Sequence, residues 1–351
     1  MKNQPGAQKN PFELARQLYA AGEYEKAADQ FLKYTKDEQL APFAYYMLAG
    51  ISNITEDPLT AKTLYYKALT LAPDICNYMF ADGHPNKNYR FSKLKEEPAV
   101  EICPLCEKSG KPHWCYNMLE MSAAYVQAFN PIRLWMYCED CHHMYAEEFP
   151  VQEVKKADPS KPAAPMPTKS HLFSFYSEVL TKLGQFTHGN EVLEIGVGGC
   201  ECTLAAQEMG FNVLGIDIAE ANVIQARKYG LNAEVCDFMN FESDRKWDII
   251  ILGDVIEHVS DPVRAMEKVV ELLNDGGVIW ISTPNFDGAF AIMAGHDDPM
   301  RKTANHKYYF SRHSLFSLLN RFQLMPVDYR ISSHYNGSIE VIAVRNPDEA
   351  S

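Results

Sequence analysis

The sequence predicts an α/β protein. A doubly wound, mostly parallel sheet fills the C-terminal half, preceded by a helical repeat region and a small cysteine module. Three observations predict it. From Glu191 to Val344, apolar strand-like runs alternate with helix-like segments. Within them, residues 191–217 hold a strand, a glycine turn, a helix and a second strand that ends on an acid. Ahead of these lie a 34-residue helical repetition and two C-x-x-C pairs. A chain of 351 residues has room for two or three domains, which we place at 1–100, 101–150 and 171–351, with a proline-rich linker at 151–170.

The N-terminal region is helical and repeated. Leu14, Ala15, Ala27 and Phe31 recur 34 residues later as Leu48, Ala49, Ala61 and Tyr65. Small residues suit close helix crossings, and large ones fill the groove between helices. The pattern resembles two units of the tetratricopeptide repeat over residues 8–75, with Ala20–Tyr24 as the inter-helix turn and Pro73 ending the second unit. Gln39 stands where the first unit's terminal proline belongs, and no convincing third unit comes after Cys76. Two repeats bury too little surface alone, so this region is expected to pack against the neighbouring cysteine module. It acts either as a helical cap or as a docking surface for a protein partner.

The cysteine module comes next. Nine cysteines is an odd number, and four of them form the pairs Cys103/Cys106 and Cys138/Cys141, 31 residues apart. Each C-x-x-C makes a tight knuckle that aims two thiolates at one point. Two knuckles supply the tetrahedral four-sulfur set that structural zinc prefers, and a reducing compartment favours metal over disulfide. The pairs resemble treble-clef and zinc-ribbon knuckles. Cys115, His113, His142 and His143 are the competing ligands. The long insert is expected to hold a helix at Tyr116–Phe129 and a strand at Ile132–Tyr137. Neither pair opens a helix after a strand, as a redox motif would. Four protein ligands leave no open position, so the expected Zn2+ is structural.

Val151–Ser170 carries Pro159, Pro162, Pro165 and Pro167, a composition that reads as a semi-rigid spacer. His171–Phe186 then has the pattern of an amphipathic helix, lying over a bound cofactor or only packing on the sheet.

Residues 191–217 read EVLEIGVGGCECTLAAQEMGFNVLGID. Gly196, Gly198 and Gly199 let the backbone approach a ligand without a Cβ, and the following helix offers free N–H groups. Asp217, at the tip of the next strand, is placed to accept from ribose hydroxyls, so a nucleoside is expected across these strand ends. The dinucleotide spacing G-x-G-x-x-G would put its last glycine at Glu201, where an acid opposes a pyrophosphate. Glu194, two residues before the first glycine, suits instead the cationic amino and sulfonium groups of S-adenosylmethionine. On these residues the chain resembles the class I S-adenosylmethionine-dependent methyltransferases, above all the group with the ubiquinone-biosynthesis O-methyltransferases. Cys200 occupies the third glycine position of their first motif.

That resemblance extends over residues 171–346 and implies a seven-stranded Rossmann-like sheet with an antiparallel last strand. Ala233–Asp237 is a short strand whose Asp237, in the resembling family, contacts the adenine amino group. Trp247–Gly253 is an apolar run suited to a central parallel strand, and Asp254–Val259 matches the family segment ending in E-H-V. Asp261 and Pro262 open a helix that runs to Leu273, 274–277 end it, and Val278–Ser282 is the next strand. Leu324–Ile331 and Ser338–Val344 form a terminal hairpin. The cofactor residues so implied are Glu194, Gly196, Val197, Gly198, Asp217, Ile218, Asp237, Phe238, Gly253 and Asp254.

Methyl transfer from a sulfonium needs alignment and, for a hydroxyl or acidic carbon, a proton acceptor. His258, after the Trp247–Gly253 strand, and His306, before the last helix, are the candidate bases, each with packing or hydrogen bonding as the alternative role. Asp254 and Asn285 at strand ends are candidates for ligand contact. Metal-assisted catalysis is not expected, because no second Asp/Asn/Glu cluster shows ligand spacing. The acceptor is expected to be a small molecule: a sugar, a glycan unit or a natural-product hydroxyl or carbon. A peptide substrate recruited by the N-terminal modules, and a non-catalytic cofactor-binding scaffold, are the alternatives. A net charge of −13 argues against a nucleic-acid surface. With no bilayer-length apolar run and no apolar signal core, a cytoplasmic location away from membranes is expected.

Overall fold

The computed structural model describes residues 11–92, 99–121, 125, 130–148, 164–303 and 305–345. Four helices open it: α1 (Pro11–Ala20), α2 (Tyr24–Leu32), α3 (Ala41–Ile54) and α4 (Pro58–Leu71), with a short α5 (Cys76–Met79) behind them. Gly22 makes the first turn at φ +77°, a conformation an L side chain resists. Asp57 caps α4 by accepting from the Thr60 N–H at 3.1 Å, and Pro58 takes the first helical position, where no N–H is needed. The equivalent pairs Ala15/Ala49, Ala27/Ala61 and Phe31/Tyr65 are all buried. Leu14 and Leu48 part company: Leu48 is buried while Leu14 faces solvent. The cause is stacking, because α3 packs on both α2 and α4 whereas α1 packs chiefly on α2.

The middle region is an antiparallel sheet: β1 (Lys111–Asn117), β2 (Ile132–Cys138) and β3 (His143–Ala146). The helix expected from Tyr116 does not start there. Tyr116 and Asn117 pair with Arg133 and Ile132 across the sheet, and Asn117 caps a single 3-10 turn over Met118–Glu120. Of the remaining expected helix, 122–124 and 126–129 lie outside the described residues. The α1–α4 layer docks on this sheet through buried polar contacts. Asn53 bonds the sheet backbone twice: its amide donates to the Cys115 carbonyl at 2.7 Å and accepts from the Cys115 N–H at 2.9 Å. Lys62 pairs with Glu147 and Glu148, which directly follow β3.

The C-terminal half runs α6 (Leu172–Leu183), β4 (Glu191–Ile195), α7 (Glu201–Glu208), β5 (Asn212–Asp217), α8 (Glu220–Lys228), β6 (Ala233–Val235) and β7 (Trp247–Gly253). It continues α9 (Pro262–Leu272), β8 (Leu273–Pro284), α10 (Ala289–Ala294), β9 (Tyr308–Tyr309), α11 (Arg312–Arg321), β10 (Leu324–Ile331) and β11 (Ser338–Arg345). Seven strands form one sheet in the order β10-β11-β8-β7-β4-β5-β6, a Rossmann-like arrangement. Strands β4 to β8 are parallel, and β11 is antiparallel to both neighbours. Helices cover both faces, so Ile249 to Leu252 of β7 are buried whichever way they point. The helix from Pro262 ends at Leu272, and β8 begins at Leu273, earlier than expected. Residues 274–277 bulge within the strand instead of separating two elements, with Gly276 at φ +72° and the register against β7 slipping beside Trp247.

Two features join what the sequence reads as separate modules. Strand β9, from the C-terminal half, is the fourth strand of the cysteine-module sheet, pairing with β3. The expected spacer is no spacer over 164–170. Met166 N–H donates to Asn222 Oδ1 at 2.9 Å, Thr168 Oγ1 donates to the Gly199 carbonyl at 2.7 Å, and Lys169 N–H donates to Glu201. Residues 149–163 lie outside the described residues. Among the described residues no helix is long and apolar enough to cross a membrane.

Candidate active site

The carboxyl ends of β4, β5 and β7 open into a cavity of ≈ 960 Å³. Parallel strands place their C-terminal loops on one edge, and the crevice forms where the chain turns from β4 toward opposite sides of the sheet. The glycine turn after β4 forms one wall. Gly196 and Gly198 sit at φ +83° and +48°, and Cys200 keeps the left-handed geometry at φ +75° as the N-cap of α7. The cysteine therefore preserves the loop shape its glycine counterpart would take. A Cβ on Gly199 would meet the Glu201 carboxylate at 2.6 Å. Glu201 in turn holds the backbone of Lys169, so its place in the loop is to anchor the 164–170 segment.

Asp217 closes β5. Its carboxylate accepts from the Ala219 N–H at 2.7 Å and from Gly198 N–H and Asn222 Nδ2 at 3.1 Å each. Of about four acceptor positions on a carboxylate, these leave roughly one for a ligand hydroxyl. Asp237 accepts from the Met239 N–H at 3.0 Å and turns the chain so that Phe238 flanks the cavity. Glu194 lies at the base, bonded to Thr203. Burial, with Glu201 and Asp217 nearby, pushes its carboxyl up to about 8. A cation beside it would hold it ionised.

On the acceptor side, Asp254 sits at φ +52° just past β7 and accepts from Ser282 Oγ at 3.0 Å; burial beside Glu257 pushes it up to about 7. His258 and His306 face each other with ring centroids 4.9 Å apart. The His258 Nδ1 contacts the Asn305 carbonyl at 3.0 Å, and the His306 Nδ1 contacts the Met300 carbonyl at 3.1 Å. Burial lowers both imidazoles' pKa values, His306 the further because His258 is beside it. Ligand atoms of Glu257, His258 and His306 lie within 4.8 Å of one another. His306, distant in the sequence, thus joins Glu257 and His258 in the fold.

All twelve residues expected to hold the cofactor or act as bases line this one cavity: Glu194, Gly196, Val197, Gly198, Asp217, Ile218, Asp237, Phe238, Gly253, Asp254, His258 and His306. Asn285 does not; it is buried behind Pro284. Several lining residues carry no sequence signal. Met166, Pro167 and Lys169 come from the proline-rich stretch, and Lys169 Nζ donates to Tyr335 OH, another lining residue, at 3.2 Å. Tyr176 of α6 also lines it, which favours the reading of that helix as a cover over the cavity.

The four thiols form a second site. Cys103 and Cys141 Sγ are 3.6 Å apart, Cys106 and Cys138 Sγ are 3.4 Å apart, and all four lie within 4.8 Å of one another. Sulfurs at about 2.3 Å from a tetrahedral zinc would be about 3.8 Å apart, so the set fits that ion. The competing ligands fall elsewhere. Cys115 is buried against Asn53, His142 contacts Tyr137 OH, and His143 lies between Tyr308 and Phe310.

With this geometry in place, the comparisons with known proteins can be set beside it. A family profile described as a methyltransferase domain matches residues 168–328. Over those residues the chain is similar to methyltransferases. Among its relatives are the ubiquinone biosynthesis O-methyltransferases of Ruegeria sp. (strain TM1040), 30% identical over 40% of this chain and 62% of that protein, and of Pseudomonas aeruginosa (strain UCBPP-PA14), 31% identical over 28% and 45%. This chain spans about half the length of the curated relatives it matches. A solved structure, magnesium protoporphyrin IX methyltransferase from Synechocystis PCC 6803, aligns at 16% identity with a TM-score of 0.42 over 50% of this chain and 83% of that one.

Proposed function

We propose that the chain transfers a methyl group from S-adenosylmethionine to a small-molecule acceptor, a hydroxyl or carbon of a sugar, glycan or natural product. The observation that carries this is the single cavity in which Glu194, the glycine turn and Asp217 lie at one end and His258 and His306 at the other. When bound, the cofactor supplies a methyl already activated on a sulfonium. Gly196, Val197 and Gly198 would cradle it, Asp217 and Ile218 would meet the ribose, and Asp237 and Phe238 the adenine. Glu194 would face the cationic end, and Gly253 and Asp254 the transferring side.

The chain's own contribution is then alignment and exclusion of water, worth up to about 7–11 kcal/mol. Tyr176, Lys169 and Tyr335 line the cavity and would help exclude water, and a neutral His258 or His306 can take the acceptor's proton. No described residue of the N-terminal helices lines the cavity, which weighs against a peptide delivered by them. We assign the four thiols to a structural Zn2+, the α1–α2 end to any protein partner, and the chain to the cytoplasm, where thiolates stay reduced.

The test is calorimetry of the full, metal-replete chain with S-adenosylmethionine, then transfer of its labelled methyl into a fractionated metabolite extract. Micromolar binding with a labelled small product is expected. Absence of binding would leave a scaffold that only retains the fold, and label in protein would favour a peptide acceptor.

A further inference from the structure

We propose that a crevice between α1, α3, α4 and the Met118–Glu120 turn binds a primary ammonium group. It shares no lining residue with the methyl-transfer cavity and does not rest on the methyl-transfer reading.

The crevice originates in α3. Tyr46, Gly50 and Asn53, spaced by four and then three residues, form one stripe along this helix. Both ends of the stripe are fastened to the cysteine module. Asn53 bonds the Cys115 backbone, and Tyr46 OH donates to Glu120 Oε1 at 2.6 Å while accepting from Asn117 Nδ2 at 2.7 Å. The middle of the stripe has no side chain. Gly50 lies inside the helix, where glycine is less stable than alanine, and it has no left-handed φ that would require it. A Cβ there would meet Tyr19 OH at 3.4 Å and Tyr65 OH at 3.9 Å. Hydroxyls from α1 and α4 thus converge on the space the glycine leaves.

The polar atoms around that space are unspent. Tyr65 is 5% exposed, and neither its hydroxyl nor that of Tyr19 has a hydrogen-bond partner among the described residues. Glu120 is bonded only through Oε1, so its Oε2 is free and the residue has no ion pair among the described residues. Burial, and then the Glu120 charge, push the Tyr19, Tyr46 and Tyr65 hydroxyls up, which sets the carboxylate near all three. Glu120 itself is exposed, yet burial raises its carboxyl as well. A carboxylate both open to solvent and desolvated lies in the wall of a cleft. Two groups whose positive charge reaches it are engaged elsewhere. Lys302 bonds Asp297 at 3.1 Å, and His84 stacks on Phe80 while its Nδ1 accepts from the Asn86 N–H.

An ammonium carries three N–H donors and here finds three oxygen acceptors, one of them anionic. The tyrosine ring faces add attraction for a cation. Glu120 repels an anion, and one carboxylate with neutral phenols is a poor donor set for a divalent metal. Because the space is what a missing side chain leaves, the ammonium fits best at the end of a slender aliphatic chain. A free alkyl amine and the lysine side chain of a partner both have that chemistry.

The test is ligand-observed magnetic resonance of the full, zinc-loaded chain with n-butylamine, against n-butanol as its neutral counterpart. Millimolar binding of the amine is expected, with n-butanol at least about tenfold weaker. Glu120→Gln and Tyr65→Phe should each weaken the amine about tenfold. Gly50→Ala should weaken it as much while raising the melting temperature, a pairing that a glycine needed only for packing would not give. If Glu120→Gln misfolds, Gly50→Ala carries the test alone. Tighter binding of Nα-acetyl-lysine amide than of putrescine assigns the site to a partner's lysine, and the reverse order to a free amine; either upholds the ammonium. Amine binding no stronger than that of n-butanol overturns the proposal, as does binding that the folded variants leave unchanged.

Discussion

The four-thiol cluster and the Glu257–His258–His306 cluster are connected through the β3–β9 pair, yet they are assembled by opposite routes. The thiols come from two knuckles, each closed within four residues, and four sulfurs saturate a tetrahedral ion. The other cluster joins two adjacent residues to a third almost fifty positions later and opens on the cavity. A closed four-sulfur set supports structure, while a cluster open to the cavity leaves room for a reacting group. The difference also explains why the two are connected at all. The sheet that begins at the thiol knuckles ends by holding, through Arg133 and Trp135, the backbone that carries His306.

The sharpest way to break this comparison is to remove the thiol site. Cys103→Ser with Cys141→Ser should abolish zinc content and unfold the β1–β3 sheet, since a structural zinc contributes apparent free energies on the order of 10 kcal/mol. Thermal melting and metal analysis read this directly. Methyl transfer should fall with it, because the His306 segment loses its support; activity that survives zinc loss would separate the two sites.

Asp217→Ala acts on the cavity alone. It deletes three internal hydrogen bonds and the ribose acceptor, and should weaken S-adenosylmethionine binding by about 2–3 kcal/mol in calorimetry without changing zinc content. Asn53→Ala tests the other side of the thiol sheet. It leaves the Cys115 N–H and carbonyl without their partner and should cost about 2–3 kcal/mol in denaturant unfolding.

The thiols and the buried carboxyls of the cavity should respond oppositely to pH. Thiol ligation strengthens as pH rises, because metal displaces protons from sulfur. Glu194 and Glu257, both raised from 4.5 to about 8, behave in the reverse sense. Between those values the folded chain keeps protons that the unfolded chain has released. Their contribution is therefore whole below about 4.5 and lost as pH rises through about 8, by up to about 1.4 kcal/mol per pH unit for each group. Adding S-adenosylmethionine should flatten the part of the slope due to Glu194 and release protons, measurable as buffer-dependent binding heat. The smallest expected effect is Cys200→Gly. Relief of the left-handed backbone offsets lost packing, so stability should stay within about 1 kcal/mol and cofactor affinity should barely move.

The cofactor end of the cavity was legible because its determinants are local. A strand, a glycine turn and an acid at the next strand's tip sit within 27 residues, so spacing alone constrains their geometry. The same holds for each C-x-x-C knuckle. The helix expected at Tyr116 failed for the complementary reason: pairing with β2 overrode local preference. The extent of β8 was missed because a glycine pair reads as a terminator whether it ends an element or bulges within one. Residues 164–170 looked like spacer because proline content reports the absence of regular structure, not the absence of contacts.

By itself, the sequence determined the order of strands and helices from Glu191 to Pro284, the paired thiols, and the residues gathered around the glycine turn. Period and spacing act over a few residues, and backbone sterics translate them directly into geometry. Only the tertiary structure decided that His306 meets Glu257 and His258, that β9 completes the cysteine-module sheet, and that a proline-rich stretch walls the cavity. Those contacts depend on which elements pack together over long sequence separations, and no local pattern encodes that choice.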